Sequence, residues 1–249
     1  MKKDFKKLWI VPLLIIAVGP FYTSPAAAGT ISDNFSGATV NKRLWRPFEE
    51  SQSVRLSQQG GELRIQIDGG SVDHGAGINS KFRLKGDFDA TVDYRLISWP
   101  PANGVRLGFE GGPNDQGFMV KRVSFGPDEL PNQGEAYFAF YTDASQWYGN
   151  QVSTTDTQGS LRLTRVGSVF TGYFKQNGDW TKIADHTFSA PELLEWVDFA
   201  LWAIGDPPEG QDVEIAFSNF QVIYDQVMYI SDPSPVTMLL LDLDPSRDR

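Results

Sequence analysis

The 249-residue sequence has no cysteine and only two histidines, His74 and His186. No disulfide framework, thiolate nucleophile or cysteine-based metal centre can be built from it, and a zinc site of three histidines is out of reach. Positive charge is also short. The 22 Lys and Arg stand against 31 Asp and Glu, giving a net charge of −9 and a pI near 4.7. Sequence-independent binding to nucleic acid needs a basic footprint, so that partner is excluded. There is no Gly-x-Ser-x-Gly nucleophile elbow and no phosphate-cradling glycine loop ahead of a helix. No internal repeat with a period of roughly 20–50 residues marks a propeller or solenoid. What remains is 41% apolar and 13% aromatic. That is too hydrophobic for a disordered chain and long enough for one sizeable core.

The first 28 residues read as a targeting segment. Lys2, Lys3, Lys6 and Lys7 make a basic start, Leu8 to Val18 is a short apolar run, and Ala26-Ala27-Ala28 closes a small-x-small site. Those are the three parts of a secretory signal peptide. The run is too short to span a bilayer, which takes about 20 residues. Cleavage after Ala28 leaves no stable membrane span. It also removes four lysines and one aspartate, which takes the net charge from −9 to −12. The expected location is outside the cell or in a bacterial periplasm, where a cysteine-free domain depends on its core for stability.

The body reads as strands. In Phe88-Asp89-Ala90-Thr91-Val92-Asp93-Tyr94-Arg95-Leu96 the even positions are apolar and the odd ones polar. Leu63–Asp68, Val105–Glu110, Leu161–Thr164 and Val213–Phe217 repeat the pattern, which gives each strand one core face and one solvent face. Asp68-Gly69-Gly70, Asn103-Gly104 and Pro207-Pro208-Glu209-Gly210 are turn signals. Asn177-Gly178 between two apolar runs is a hairpin signal. Only Ala190–Trp196 has helical character. About a dozen short strands without alternating helices predict an all-β, antiparallel two-sheet β-sandwich over 29–228, followed by a disordered tail over 229–249.

Several segments carry a family resemblance. Ile31-Ser32-Asp33-Asn34-Phe35-Ser36-Gly37 with Asn41 and Trp45, the strand Gly86-Asp87-Phe88-Asp89, the hairpin Tyr173-Phe174 to Asp179-Trp180, and Phe217-Ser218-Asn219-Phe220 together resemble the concanavalin A-like lectin/glucanase domains. The resemblance spans about 31–224. It implies a jelly roll whose closing strand pairs near the first and whose concave face often binds sugar. It also implies a structural calcium ion tying first strand to last, with Asp33, Asn34, Ser218 and Asn219 in suitable positions. Calcium takes six to eight oxygens, and Ser218-Asn219 stands where an aspartate would be the stronger ligand. The Glu-x-Asp-x-Glu triplet of the family's retaining glucanases is absent.

Aromatic side chains carry the binding argument, because the C–H faces of sugars lie on rings while hydroxyls need polar partners. Trp99 sits in a proline-rich loop, and Trp147 and Tyr148 are read as a second loop. Alternation on 135–141 puts Glu135, Tyr137 and Tyr141 on one face and sends Phe138 and Phe140 to the core. Arg106 and Glu110 share a face away from Leu107 and Phe109, while Lys121 and Arg122 take no clear side. His74 beside Asp73 reads as a general base or, more plainly, a loop histidine. His186 follows Asp185 at a strand end. The expected function is a secreted, non-catalytic carbohydrate-binding module for a glycan or polysaccharide. The alternatives are a glycoside hydrolase or lyase of the same fold, with Glu135, Glu110 and Tyr137, and a structural envelope or matrix adhesion protein. Oligomeric state leaves no trace in the sequence.

The exported protein should begin at Gly29. Intact-mass analysis of material recovered outside the cytoplasm checks this, and retention of residues 1–28 contradicts it.

Overall fold

The computed structural model describes residues 28–230, apart from 73, 113–116, 127–133, 144–145 and 189–195. At 142, 143, 146–148 and 176 it describes the backbone alone. The signal-peptide segment and the apolar run of the tail thus lie outside the described residues, as does the stretch 190–195 read as helical. Among the described residues there is no helix.

Among the described residues fifteen strands follow in order. The first five are β1 (Gly29–Asp33), β2 (Trp45–Glu49), β3 (Val54–Gln59), β4 (Glu62–Ile67) and β5 (His74–Ser80). Then come β6 (Phe82–Ser98), β7 (Val105–Gly112), β8 (Phe118–Ser124), β9 (Glu135–Asp143) and β10 (Gln146–Ser153). The last are β11 (Gln158–Val166), β12 (Val169–Gln176), β13 (Asp179–Thr187), β14 (Asp198–Gly205) and β15 (Val213–Tyr229). They form two antiparallel sheets. One has the order β13-β12-β11-β6-β15-β4-β3, with β1 also on β15; the other is β10-β9-β8-β7-β14-β5-β2. This is the expected jelly-roll sandwich. Tyr229 closes β15 and the Ile230 N–H donates to Lys81 O at 2.8 Å. Tyr229 therefore belongs to the sheet and Ile230 is tied to it by that bond, where the sequence predicts a tail from 229.

Local chemistry explains the elements. The burial of β6 alternates along the apolar positions Phe88, Ala90, Val92, Tyr94 and Leu96. At the hairpin between β12 and β13, Asn177 and Gly178 take φ of 53° and 92°, the two left-handed positions of the turn that suits twisted strands. The core between the sheets is rich in rings. Trp45 meets Phe220 edge-on at 4.9 Å, and Phe109 stacks on Phe199 at 5.7 Å.

The opening segment has a clear physical reason. β1 pairs with β15 in the register Ile31↔Val222 and Asp33↔Phe220, so the chain ends are joined by backbone hydrogen bonds. Asp33 Oδ1 accepts the Phe35 N–H at 2.8 Å, and Oδ2 accepts the indole N–H of the buried Trp45 at 3.0 Å. Phe35 takes a left-handed φ of 52° and is itself fully buried.

Replacing Asp33 removes the acceptor that the buried Trp45 indole has among the described residues. Asp33→Ala should lower unfolding stability by about 1–3 kcal/mol, the usual cost of a buried donor left unpaired. The loss should be the same with calcium and with chelator, read by denaturant melts. A loss seen only in calcium contradicts this role.

Candidate functional site

The structure divides the residues expected to form one site. Tyr137 and Tyr141 are buried between the sheets, in the core cluster, where the sequence reading had placed Phe138 and Phe140. The facing assignment of β9 is thus inverted. Tyr137 stacks on Phe174 at 4.2 Å, and Tyr141 stacks on His186 at 4.0 Å. Burial is tolerated because the phenol is satisfied. The Tyr137 hydroxyl donates to Asp156 Oδ2 at 3.0 Å, so the Tyr94 hydroxyl donates to it at 2.6 Å.

Glu135 follows Tyr137 to the inner side, at one end of the sandwich. Its carboxylate accepts the Trp99 indole N–H at 2.9 Å and a guanidinium N–H of Arg122, which is 1% exposed. Arg122 also donates to Val123 O and Asp156 O. Trp99, Glu135 and Tyr137 therefore form a polar clasp that fixes the chain between β10 and β11. Tyr137 thus lies inside the sandwich, where the sequence predicts a ring facing sugar. Burial is the main cause that pushes the Tyr94 hydroxyl up to about 12, and burial raises Tyr137 as well.

Trp147 and Tyr148 lie in β10, not in a loop, paired with Thr142 and Tyr141. Their side chains are outside the described residues. Arg106 and Glu110 do point away from the core, since Leu107 and Phe109 point into it.

The outward face of the seven-stranded sheet carries a row the sequence reading missed. Pairing runs Phe48↔Gly77, Gly77↔Trp202, Trp202↔Gly108, Gly108↔Lys121 and Lys121↔Phe138, across six strands. The glycines make room for the rings. A Cβ on Gly108 would lie 2.5 Å from Trp202 Cζ2, and one on Gly77 would lie 2.9 Å from Phe48 Cε1. Met119 continues the surface, while Phe140 and Lys121 on the same side are buried, at 1% and 4% exposed, with Lys121 Nζ 4.1 Å from the Phe140 ring centre. Phe48, Met119 and Trp202, with Glu50, Arg106 and Ile204, line an open groove of about 390 Å³. Glycine inside a strand is the signal that would have found it, because such positions mark close approach by a ring, backbone or ligand.

Of the four residues expected to hold calcium, Asp33, Asn34 and Asn219 border one polar pocket, and Ser218 does not. Asn219 donates to Asp93 Oδ2 at 2.9 Å. Asp33, the single carboxylate there, has each oxygen already accepting a hydrogen bond. Among the described residues no group of three or more His, Asp or Glu converges to hold a metal. This donor set does not fit a calcium centre, and Asp33 acts as a structural acceptor.

No protein-family model matches the sequence, and no curated protein matches it. Solved structures do match in shape. Lectin I-B4 of Griffonia simplicifolia, in metal-free form, aligns with a TM-score of 0.57 at 10% identity, covering 80% of this chain and 99% of the lectin. Rv0315 of Mycobacterium tuberculosis, described as a pseudo β-1,3-glucanase, aligns at 0.59 and 10% identity, covering 78% and 98%. LamA of Zobellia galactanivorans, bound to laminaritriose and laminaritetraose, aligns at 0.58 and 10%, covering 79% and 98%. The fold is therefore the concanavalin A-like lectin/glucanase jelly roll.

The tyrosine clasp has a pH signature. As pH rises from 10 to about 12 the unfolded tyrosines ionise while folded Tyr94 and Tyr137 keep their protons, so stability falls across that window. Tyr137→Phe should make the fall shallower and cost about 1–3 kcal/mol at neutral pH, where Asp156 loses its donor. Urea midpoints measured from pH 8 to 12 check this; parallel profiles for the two proteins contradict it.

Proposed function

We propose that the protein is an exported, non-catalytic carbohydrate-binding β-sandwich whose ligand face is the outward surface of the seven-stranded sheet. The observation that carries the reading is the row in which Phe48 and Trp202 alternate with Gly77 and Gly108. Glycine beneath each ring lets it lie along the sheet and offer its face outward. Flat rings edged by Glu50, Arg106 and Lys121 suit a sugar, whose C–H face stacks while its hydroxyls take polar partners. Support also comes from the matched folds, which include a lectin and a structure holding laminari-oligosaccharides. Export rests on the basic, apolar and small-residue order of residues 1–28.

Carboxylate spacing favours binding over hydrolysis. A glycosidase pair stands about 5–9.5 Å apart. Glu110 faces outward and Glu135 inward, so the set first considered is divided between two faces of the sheet. On the outward face, the Glu50 N–H donates to Gly75 O, Gly75 pairs with Ile204, and Ile204 pairs with Arg106, four residues from Glu110. Three strand spacings and four residues separate Glu50 from Glu110, roughly 19 Å.

Trp202→Ala should weaken glycan binding by about 1–3 kcal/mol, the range of an aromatic anchor. It should leave the fold intact, because the ring lies on the outward face. A glycan array followed by calorimetry on the best ligand, with circular dichroism as control, checks this. Unchanged affinity for that ligand refutes the assignment of this face.

A further inference from the structure

We propose that the ligand of this face is a flat, ribbon-like β-1,4-linked polysaccharide that runs across the strands, with Trp202 and Phe48 holding every second sugar unit. The inference rests on the outward face being the glycan site, and it concerns the spacing of the rings. Each ring leans from its own strand onto a glycine of the next. Phe48 on β2 reaches the Gly77 position on β5, and Trp202 on β14 reaches the Gly108 position on β7. Both lean the same way along the sheet order β7-β14-β5-β2. A Cβ on Gly108 would meet three atoms of the six-membered indole ring between 2.5 and 2.9 Å away. Lys121 Nζ, on the strand beyond, lies 5.9 Å from the Trp202 ring centre. The two rings are therefore displaced in the same sense and stay two strand spacings apart, about 10 Å.

That separation selects among glycan linkages. In a β-1,4-linked chain of equatorial pyranoses each unit is turned over relative to the last. The same C–H face thus recurs at every second unit, and the repeat is about as long as two strand spacings, roughly 10 Å. Chains linked α-1,4 or β-1,3 wind into helices, so units two apart leave a common plane and cannot cover both rings at once. The rings make a rigid ruler, because backbone pairing through Gly77 fixes the strands that carry them. Two stacking sites set in advance lose little freedom when the ligand binds. A chain seated on one ring also holds its next-but-one unit at high local concentration over the other, so affinity rises once the ligand is long enough to reach both. The groove has the matching direction. Its lining extends from Phe48 on β2 to Met119 on β8 and Phe140 on β9, so it crosses the strands as the ring pair does.

The test is calorimetry on the full exported protein with length-matched hexasaccharides. The β-1,4 probes are cellohexaose, mannohexaose and N-acetylchitohexaose. The controls are laminarihexaose, which is β-1,3-linked, and maltohexaose, which is α-1,4-linked. At least one β-1,4 probe should bind about tenfold or more tighter than either control, the factor that one further aromatic anchor supplies. The best probe should also show a length step, its tetrasaccharide binding about tenfold tighter than its disaccharide. Phe48→Ala should remove that step, with circular dichroism as the control for folding; the linkage and length comparisons stand on the unaltered protein. The three β-1,4 arms identify the sugar. A control that binds as tightly as the best β-1,4 probe, a disaccharide that binds as tightly as the tetrasaccharide, or a step that survives Phe48→Ala overturns the proposal. If none of these probes binds while another glycan on an array does, this proposal falls and the glycan-site reading stands. A blank array brings down both.

Discussion

The hydrogen bond from the Tyr137 hydroxyl to Asp156, inside the sandwich, decides what the outside of the seven-stranded sheet looks like. A strand has two faces, and satisfying one residue's polar group on the inner face commits its neighbours to the outer one. With Tyr137 and Tyr141 inward, Phe138 and Phe140 must face outward. An unsatisfied phenol in the core would cost several times what the ring gains over phenylalanine. Asp156, Tyr94, Arg122 and Glu135 remove that penalty together. Because Arg122 also holds Val123 O and Asp156 O, the same clasp ties β8 and β9 to the chain that crosses between the sheets.

From that constraint the outer face follows. Phe138 and Phe140 arrive beside Lys121, and the row continues through Gly108, Trp202 and Gly77 to Phe48. A strand interior gains little from glycine, which costs entropy and adds no packing. Two glycines flanking one tryptophan in register make sense where the indole must lie along the sheet. The arrangement differs from the opposite sheet, whose outward face is laced with ion pairs such as Arg162–Asp89 and Arg95–Glu62.

Much of the fold was legible because it depends on residue type at period two. β4, β6 and β7 alternate cleanly, the Asn177-Gly178 turn followed from a short local pattern, and the pairing of first strand with last was implied by the family resemblance. The site was less legible for a physical reason. On β9 both parities are aromatic, so hydropathy cannot choose between them, and the usual preference for phenylalanine inside points the wrong way. The choice is made by Asp156 and Arg122, distant in sequence and invisible to periodicity. β14 hid Trp202 similarly, because Phe199, Leu201 and Ala203 are apolar on one face while Trp202 and Ile204 are apolar on the other.

The central claim is that ligand lies on the outward face of the seven-stranded sheet, over Trp202. A crystal structure of the exported protein soaked with the oligosaccharide it binds best tests that most directly. The account predicts sugar density stacked on Trp202, reaching toward Phe48 on one side and Arg106 on the other. Density seated instead on the opposite sheet, at Tyr173 and Trp180, or in the polar pocket beside Asp33, would contradict it.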